Sequence, residues 1–411
     1  MTVSLKVPYW RLSGFYGLYF ALIGCIMPFW GLYLQEQAFD VADIGILLAL
    51  FSGIRIFAPN IWAGCSHLVE NFIPPIQLLR LGGVLMVVCF FAIYWATEFW
   101  HYVIIMLAYG FFWSAILPQY EILTLKHIKN DLDAYSSIRL WGSIGFIILV
   151  SLLGCVFDFI SLNYLPAIML VLMLAIVFNS FVLPAASTQK SLDETGHNFA
   201  VSSLKPDSES INDEKEINDR LAVGINWGLI SFLLITVLLQ ISHGPYYVFF
   251  SIYLQQLEYS HWMIGLLWSL GVFSEIIIFW KISIFIQRWS LRELVILSLL
   301  LTAVRWLMTA YFSDVGFMLI FSQCLHAFSF GLLHVVSVKY IAIFYPGKQQ
   351  LHGQALYSGL GFGLGGALGA YLAGLAWAVY GAQWVFIAAA AVALATAVIA
   401  YYGLPRGNNV G

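Results

Sequence analysis

GLYLQEQAFDVADIGILLAL at residues 31–50 and SIYLQQLEYSHWMIGLLWSL at residues 251–270 are weakly related copies of one passage. Tyr33-Leu34-Gln35 recurs as Tyr253-Leu254-Gln255, Ile44-Gly45 as Ile264-Gly265, Leu47 as Leu267 and Leu50 as Leu270, all at a shift of 220 positions. In each copy an apolar run ends in a short polar turn and a second apolar run begins. A helix needs about 20 such residues to cross a hydrocarbon core of roughly 30 Å. The repeat predicts two similar halves of membrane-crossing helices related by an axis along the membrane normal.

Outward from that passage the chain keeps the same character. Of 411 residues, 61% are hydrophobic and 9% charged; a soluble globular chain has roughly 25% charged, so lipid is the solvent for most of this surface. Breaks at polar and Pro/Gly clusters divide the chain into twelve spans. They lie near 11–34, 43–66, 75–96, 100–126, 136–157, 161–183, 226–255, 262–286, 292–312, 315–343, 353–379 and 382–403. The expected fold class is an all-α membrane protein of twelve transmembrane helices in two pseudo-symmetric six-helix bundles. The first apolar stretch, from near Arg11 past Trp30, has no small-residue cleavage site and reads as a retained span, not a signal peptide. Cys25, Cys65, Cys89, Cys155 and Cys324 fall within or at the ends of apolar helices, without disulfide or metal spacing, and read as packing residues.

Lys and Arg sort by side. Lys6, Arg80, Lys126, Lys129, Lys281, Arg288, Arg292, Lys339, Lys348 and Arg406 lie at or near the termini and the even-to-odd connections. The opposite connections, around Glu36, Glu98, Asp158, Glu258 and Asp314, hold none, which by the positive-inside rule places both termini in the cytoplasm. Residues 184–223 carry 8 of the 21 acidic residues and almost no aromatics, the composition of a solvated cytoplasmic linker. It separates an N-terminal bundle, 1–183, from a C-terminal bundle, 224–411. The chain shows no nucleic-acid footprint.

An ionisable side chain in mid-membrane is costly unless it faces a cavity or a partner. Those here are Arg55 in span 2, His243 in span 7, Glu275 in span 8, Arg305 in span 9, and His326 and His334 in span 10. Glu121 and Arg139 sit near the cytoplasmic ends of spans 4 and 5. The 220-residue shift carries Arg55 onto Glu275, so if both line the interface they face each other as a buried pair, serving either packing or transport. Three cations, Arg55, Arg139 and Arg305, stand against two anions, Glu121 and Glu275. An anionic substrate would satisfy the surplus, and the planar guanidinium fork suits a carboxylate.

Other signals point away from cofactors. Gly361-Phe362-Gly363-Leu364-Gly365-Gly366 has the dinucleotide spacing but lies inside an apolar span with no strand before it, so its glycines predict close helix approach instead. His326 and His334, eight residues apart with no carboxylate on the helix, favour proton or hydrogen-bond chemistry over metal binding. Phe29, Trp30, Tyr246, Tyr247, Phe249 and Trp268 are the aromatics expected near a central cavity. Pro28 and Gly244-Pro245 are sites of helix flexing or static kinking.

FWGLYLQ at 29–35, RLWGSIGF at 139–146, LWSLGVFSEIIIF at 267–279, VRW at 304–306 and LHAFSFGLLHVVSVKYIA at 325–342 carry a family resemblance. The chain resembles the lactose-permease-like branch of the major facilitator superfamily, and within it is similar to the bacterial 3-phenylpropionic acid transporters. The resemblance implies a substrate site containing Glu121, with Pro118 three residues before it, and Arg139. It also implies that Glu275, Arg305 and His326 serve substrate binding and proton coupling. Ser329 stands where lactose permease has its proton-carrying Glu, Phe146 replaces the Trp that stacks on the sugar, and the loop motif between spans 2 and 3 is reduced to Gly64-Cys65-Ser66-His67.

The function expected is secondary active transport: a monomeric proton symporter of a bacterial inner membrane importing a small organic solute, an aromatic monocarboxylate such as 3-phenylpropionate. Its site residues are Arg55, Glu121, Arg139, Phe146, Glu275 and Arg305, with Glu275, Arg305 and His326 handling protons. A proton-coupled sugar or nucleoside symporter is the alternative among carriers. A transport-inactive membrane sensor signalling through the acidic linker is the alternative of another class.

Overall fold

The computed structural model describes residues 7–69, 72–128, 131–183 and 226–406, among which every regular element is a helix. Lipid offers the backbone no hydrogen-bond partner, so a chain this apolar closes its bonds within helices. Eleven helical runs among the described residues are long and apolar enough to cross a membrane. Spans 1 to 6 are Tyr9–Glu36, Val41–Trp62, Ile76–Trp95, Phe99–His127, Asp133–Phe157 and Leu162–Val182. Spans 7 to 10 are Trp227–Gln256, His261–Arg288, Leu291–Tyr311 and Gly316–Phe344, and His352–Gly403 follows. The expected linker, 184–223, lies outside the described residues, as do Lys6 and Lys129.

The last run is too long for one crossing, since 52 residues at about 1.5 Å each would reach roughly 78 Å. At Gly381 the backbone leaves helical geometry (φ 78°, ψ 172°) and the chain turns back. Trp377 before the turn and Phe386 after it both pack on Tyr253 of span 7, while Gly403 approaches Ser231 near that span's start. The run is therefore spans 11 and 12, which brings the crossings among the described residues to the twelve expected.

The internal repeat is present in the backbone as well as in the letters. Ala38 (φ 66°) and Glu258 (φ 62°) are the non-glycine residues with positive φ among those described, and they are 220 positions apart. Each ends its helix in the left-handed conformation that closes the last carbonyls: Phe39 N–H donates to Leu34 O at 3.2 Å, and Tyr259 N–H to Leu254 O at 3.0 Å. The next helix in each half starts on a side-chain cap, Asp40 accepting from Asp43 N–H at 2.8 Å and Ser260 from Met263 N–H at 3.3 Å.

The same symmetry governs how the halves meet. A Cβ on Gly45 would lie 2.8 Å from Gly374 Cα; one on Gly154 would lie 2.6 Å from His261 O and 3.3 Å from Gly265 Cα. The shift carries Gly45 onto Gly265 and Gly154 onto Gly374, so the two crossings, span 2 on span 11 and span 5 on span 8, are images of each other. Small residues let backbones touch where lipid supplies no hydrophobic drive. Both crossings lie at the end of the molecule carrying Asp40, Asp158 and Glu258, and they close it. At one of them Asp158 caps the other half, its Oδ1 accepting from His261 N–H at 2.7 Å and its Oδ2 from Trp262 N–H at 3.2 Å. His261 Nδ1 also lies 3.3 Å from Asp158 Oδ1, and Ser151 Oγ meets Ser269 Oγ at 2.9 Å deeper along the same pair of spans.

The glycine-rich segment of span 11 makes the close approaches expected of it. A Cβ on Gly365 would sit 2.7 Å from Val237 O, and one on Gly363 2.6 Å from Ile56 Cγ1. Three spans carry a π turn: Ile26–Trp30, which contains Pro28, Ala327–Leu332, and Ser358–Gly365. Pro245, by contrast, sits inside an unbroken span 7.

Candidate functional site

Two polar clusters occupy the interior, one in each half. In the C-terminal half, spans 7, 8, 9 and 10 bring Tyr246, Glu275, Arg305, Gln323, His326 and Ser329 together. Arg305 is 0% exposed. Its Nη1 donates to His326 Nδ1 at 2.8 Å and to Ser329 Oγ at 3.1 Å, and its Nη2 to Gln323 Oε1 at 3.2 Å. The guanidinium also lies over the rings of Tyr246 and Trp306, 4.1 and 4.5 Å from their centroids. On the other side of the imidazole, His326 Nε2 is 2.7 Å from Glu275 Oε1.

This chain of contacts fixes the proton on the ring. A guanidinium N–H can only donate, so Nδ1 of His326 must accept and the ring hydrogen must sit on Nε2, donated to Glu275. A second proton on His326 would set two N–H groups against each other across 2.8 Å. While Arg305 holds the ring, Glu275 is therefore the group open to protonation. The small residues around the pair are part of the arrangement. A Cβ on Gly271 would lie 3.2 Å from His326 Cδ2, and one on Gly331 3.4 Å from Glu275 Cγ.

The N-terminal cluster is looser. Glu121 accepts from Tyr135 Oη at 3.2 Å, and no ion pair joins it to Arg139. Arg139 lies over Phe20 at 4.1 Å and beside Tyr16 at 5.6 Å, and no hydrogen-bond acceptor meets its guanidinium among the described residues. In the same half the ring of Tyr19 stacks on Trp113 at 5.4 Å. Arg55 occupies a 3-10 turn, Ile54–Ile56, that interrupts span 2.

Several sequence expectations change here. Arg55 and Glu275 do not form an ion pair: the carboxylate is taken by His326 in its own half. Equivalence under the repeat makes two positions symmetric without making them neighbours. Phe146 is 6% exposed and packs on span 1 beside Gly24, so it contributes to the bundle interior in this conformation. Of the aromatics expected near the cavity, Tyr246 and Trp268 stack with each other at 4.6 Å beside Arg305, whereas Trp30 packs on Tyr33 and Phe90 in an apolar core. Gln323 was not among the residues expected from sequence, and Tyr246 was expected only as an aromatic near the cavity. An uncharged amide in mid-span is the signal that would have found Gln323, which is 0% exposed and accepts from both Tyr246 Oη and Arg305.

Residues 9–388 match the model of the MFS_1 like family. Over 362 residues the chain is 27% identical to a probable 3-phenylpropionic acid transporter of Escherichia coli (strain K12), covering 86% of this chain and 87% of the relative. A maltose permease of Geobacillus stearothermophilus is 26% identical, with 85% and 83% covered. Among solved structures, the nucleoside transporter NupG superposes with a TM-score of 0.72 at 19% identity, over 96% of this chain and 98% of that one. The twelve passages, the paired halves with a polar cluster in each, and a family match spanning most of the sequence lead to one conclusion: the chain belongs to the MFS_1 like family of major facilitator transporters, a multi-pass membrane carrier of small molecules and not an enzyme.

Proposed function

We propose that the protein is a proton symporter that imports an aryl monocarboxylate across a bacterial inner membrane, with both termini and the 184–223 linker in the cytoplasm. The observation that carries the substrate reading is the guanidinium of Arg139, which is held by ring faces and lacks an acceptor among the described residues. Arg305 is less suited to that task because both its Nη groups are already bonded within its own half, leaving Nε without a partner but no free two-pronged fork. A carboxylate satisfies a guanidinium fork with two charge-assisted bonds, and the half-buried ring of Phe20 offers an aromatic body a compatible wall. The relative described as a probable 3-phenylpropionic acid transporter supports the same class.

Transport follows from alternation. The two halves, 1–183 and 224–411, rock about the central site, and the closed glycine crossings belong to the state sealed on the periplasmic side. Glu275 binds the coupled proton, with His326 as the relay that Arg305 orients. Competition for binding tests the substrate: 3-phenylpropionate is expected to raise the thermal midpoint of the purified protein and to inhibit uptake, and its uncharged amide to do so at least tenfold less effectively. Equal effects of acid and amide, or a response to maltose or nucleosides alone, would remove the carboxylate from the reading. The orientation is tested by alkaline-phosphatase fusions, expected to be active after Gln37, Asp158 or Tyr259 and inactive in the linker. The reverse pattern would invert every assignment of side.

A further inference from the structure

Arg305 is a buried cation, yet no carboxylate among the described residues bonds to it. Its acceptors are Gln323, His326 and Ser329, spaced by three along span 10, and all are uncharged. Glu275 stands one imidazole away, on the Nε2 edge of His326. His326 and Ser329 both hold Nη1 of the guanidinium, so Gln323 alone holds Nη2.

The amide of Gln323 is itself aimed. A guanidinium can only donate, so Oε1 must face Arg305 and Nε2 must point away. Tyr246 Oη donates to the same oxygen at 3.1 Å, while Nε2 donates to Ser322 Oγ at 3.2 Å and Ser322 Oγ to Leu319 O at 2.7 Å. Ser322 and Gln323 are both 0% exposed. A glutamate here would have nearly the same shape and would meet Arg305 as an ion pair. The amide supplies the oxygen without the charge, and Glu275 is left as the one carboxylate of the cluster. A carboxylate in direct contact with a guanidinium is held ionised, whereas one kept at a distance takes up a proton more readily.

The other charged and titratable groups around Glu275 leave Arg305 as the cation that matters. Span 10 gives His326 and, beyond Phe330, His334, whose Nδ1 lies 3.2 Å from Tyr357 Oη of span 11. Span 7 gives Tyr246, its ring 5.6 Å from that of His326, and His243 and Tyr247, which stack on each other at 5.7 Å. His243 Nδ1 donates to Leu239 O at 2.9 Å. Span 5 gives Arg139, which lies over Phe20, and on span 8 itself Lys281 lies over Trp280. Among the described residues only Arg305 bonds to the imidazole that Glu275 holds.

We propose that Gln323 is a positioning residue of the proton site: its amide oxygen, aimed by Tyr246 and Ser322, pins Arg305 to the far edge of His326 and so keeps Glu275 free to take up a proton. The inference rests on the proton-site reading above and adds the residue that holds the cation at its working distance.

The test follows the C=O stretch of protonated Glu275 in the purified full chain by infrared difference spectroscopy across pH, the band being identified by its loss in Glu275→Gln. Gln323→Met keeps the length of the side chain and removes the acceptor. Nη2 is released, the guanidinium pivots about Nη1 toward the carboxylate, and the pH at which the band is half lost is expected to fall by about one unit. Gln323→Glu keeps an oxygen on Nη2 and adds a charge that balances Arg305, so Glu275 holds its proton to higher pH and the midpoint is expected to rise by about one unit. The new carboxylate, paired with Arg305, is ionised and silent in this band. Shifts of opposite sign separate positioning from loosened packing, which would move both variants alike. Tyr246→Phe removes one of the bonds that aim the amide and is expected to give a smaller fall; with Gln323→Glu it decides the matter should melting show Gln323→Met to be unfolded. Midpoints unmoved, or displaced in the same direction in Gln323→Met and Gln323→Glu, would overturn the role of Gln323 and leave the proton site intact. Wild-type protein with no titrating band that disappears in Glu275→Gln would overturn the proton site itself.

Discussion

Gly154→Leu is expected to reduce uptake at least a hundredfold while leaving the protein folded and able to bind substrate from the periplasmic side. The reason is geometric. Even a Cβ at this position would fall 2.6 Å from the backbone oxygen of His261 and 3.2 Å from Trp262 Cα, and backbone atoms at a packed helix crossing cannot step aside as a flexible side-chain end can. The crossing of spans 5 and 8 therefore cannot close over a leucine. Gly374→Leu should act alike at the symmetric crossing, where a Cβ would lie 2.9 Å from Gly45 Cα and 3.0 Å from Val41 O. The check is thiol labelling of a cysteine placed at Ser269, which is sealed beneath the crossing by its contact with Ser151. Labelling from outside should accelerate at least tenfold in Gly154→Leu. Unchanged labelling together with normal uptake would mean that the glycine crossing is not a moving seal.

The second large effect is expected at the proton site. Glu275→Gln and His326→Gln should each abolish accumulation against a gradient, bringing internal substrate to equilibrium with the outside, while counterflow exchange stays within a few-fold of normal. A glutamine at 275 accepts a hydrogen bond from His326 but takes up no proton, and a glutamine at 326 cannot relay one. Glu275→Gln also leaves Arg305 as a buried cation without its carboxylate. Losing one member of a buried charged set costs about 3–5 kcal/mol, so a lowered thermal midpoint should accompany the loss of coupling. Arg305→Gln provides a contrast. It releases His326 Nδ1, and with it the constraint that keeps the ring neutral, so it should change the pH dependence of exchange as well as its rate. Uphill accumulation at wild-type levels in both Glu275→Gln and His326→Gln would rule out this proton site.

Much of the scaffold was legible before any coordinates because the membrane constrains the chain so strongly. Apolar runs of the right length can only be crossing helices, and the twelve expected spans reappear within a few residues, with the last two joined through Gly381. The repeat between residues 31–50 and 251–270 was legible too, and the structure adds matching left-handed turns at Ala38 and Glu258 that the letters did not announce. What the letters withheld was rotation about each helix axis. Hydropathy gives depth and says nothing of direction, so Arg55 and Glu275 matched in depth and were expected to meet. The structure turns Glu275 to His326 in its own half. The adjacency of Glu275, Arg305 and His326 was foreseen from charge and family pattern, and Tyr246 and Ser329 were singled out on other grounds, but Gln323 became visible only through its bonds to Arg305 and Tyr246.

The cap that Asp158 places on span 8 has no counterpart under the repeat. The shift that maps Gly154 onto Gly374 carries Asp158 to Ala378 and His261 back to Val41, two apolar residues that can neither cap nor pair. The scaffold is twofold; its fastenings are not. One edge of the closed face is buttoned by a carboxylate holding two backbone amides and an imidazole, and the other, among the described residues, is held by surface contact alone. A load applied evenly across the face is then resisted unevenly, and the unbuttoned edge yields first, so the halves part as a door swings on its hinge and not as jaws open.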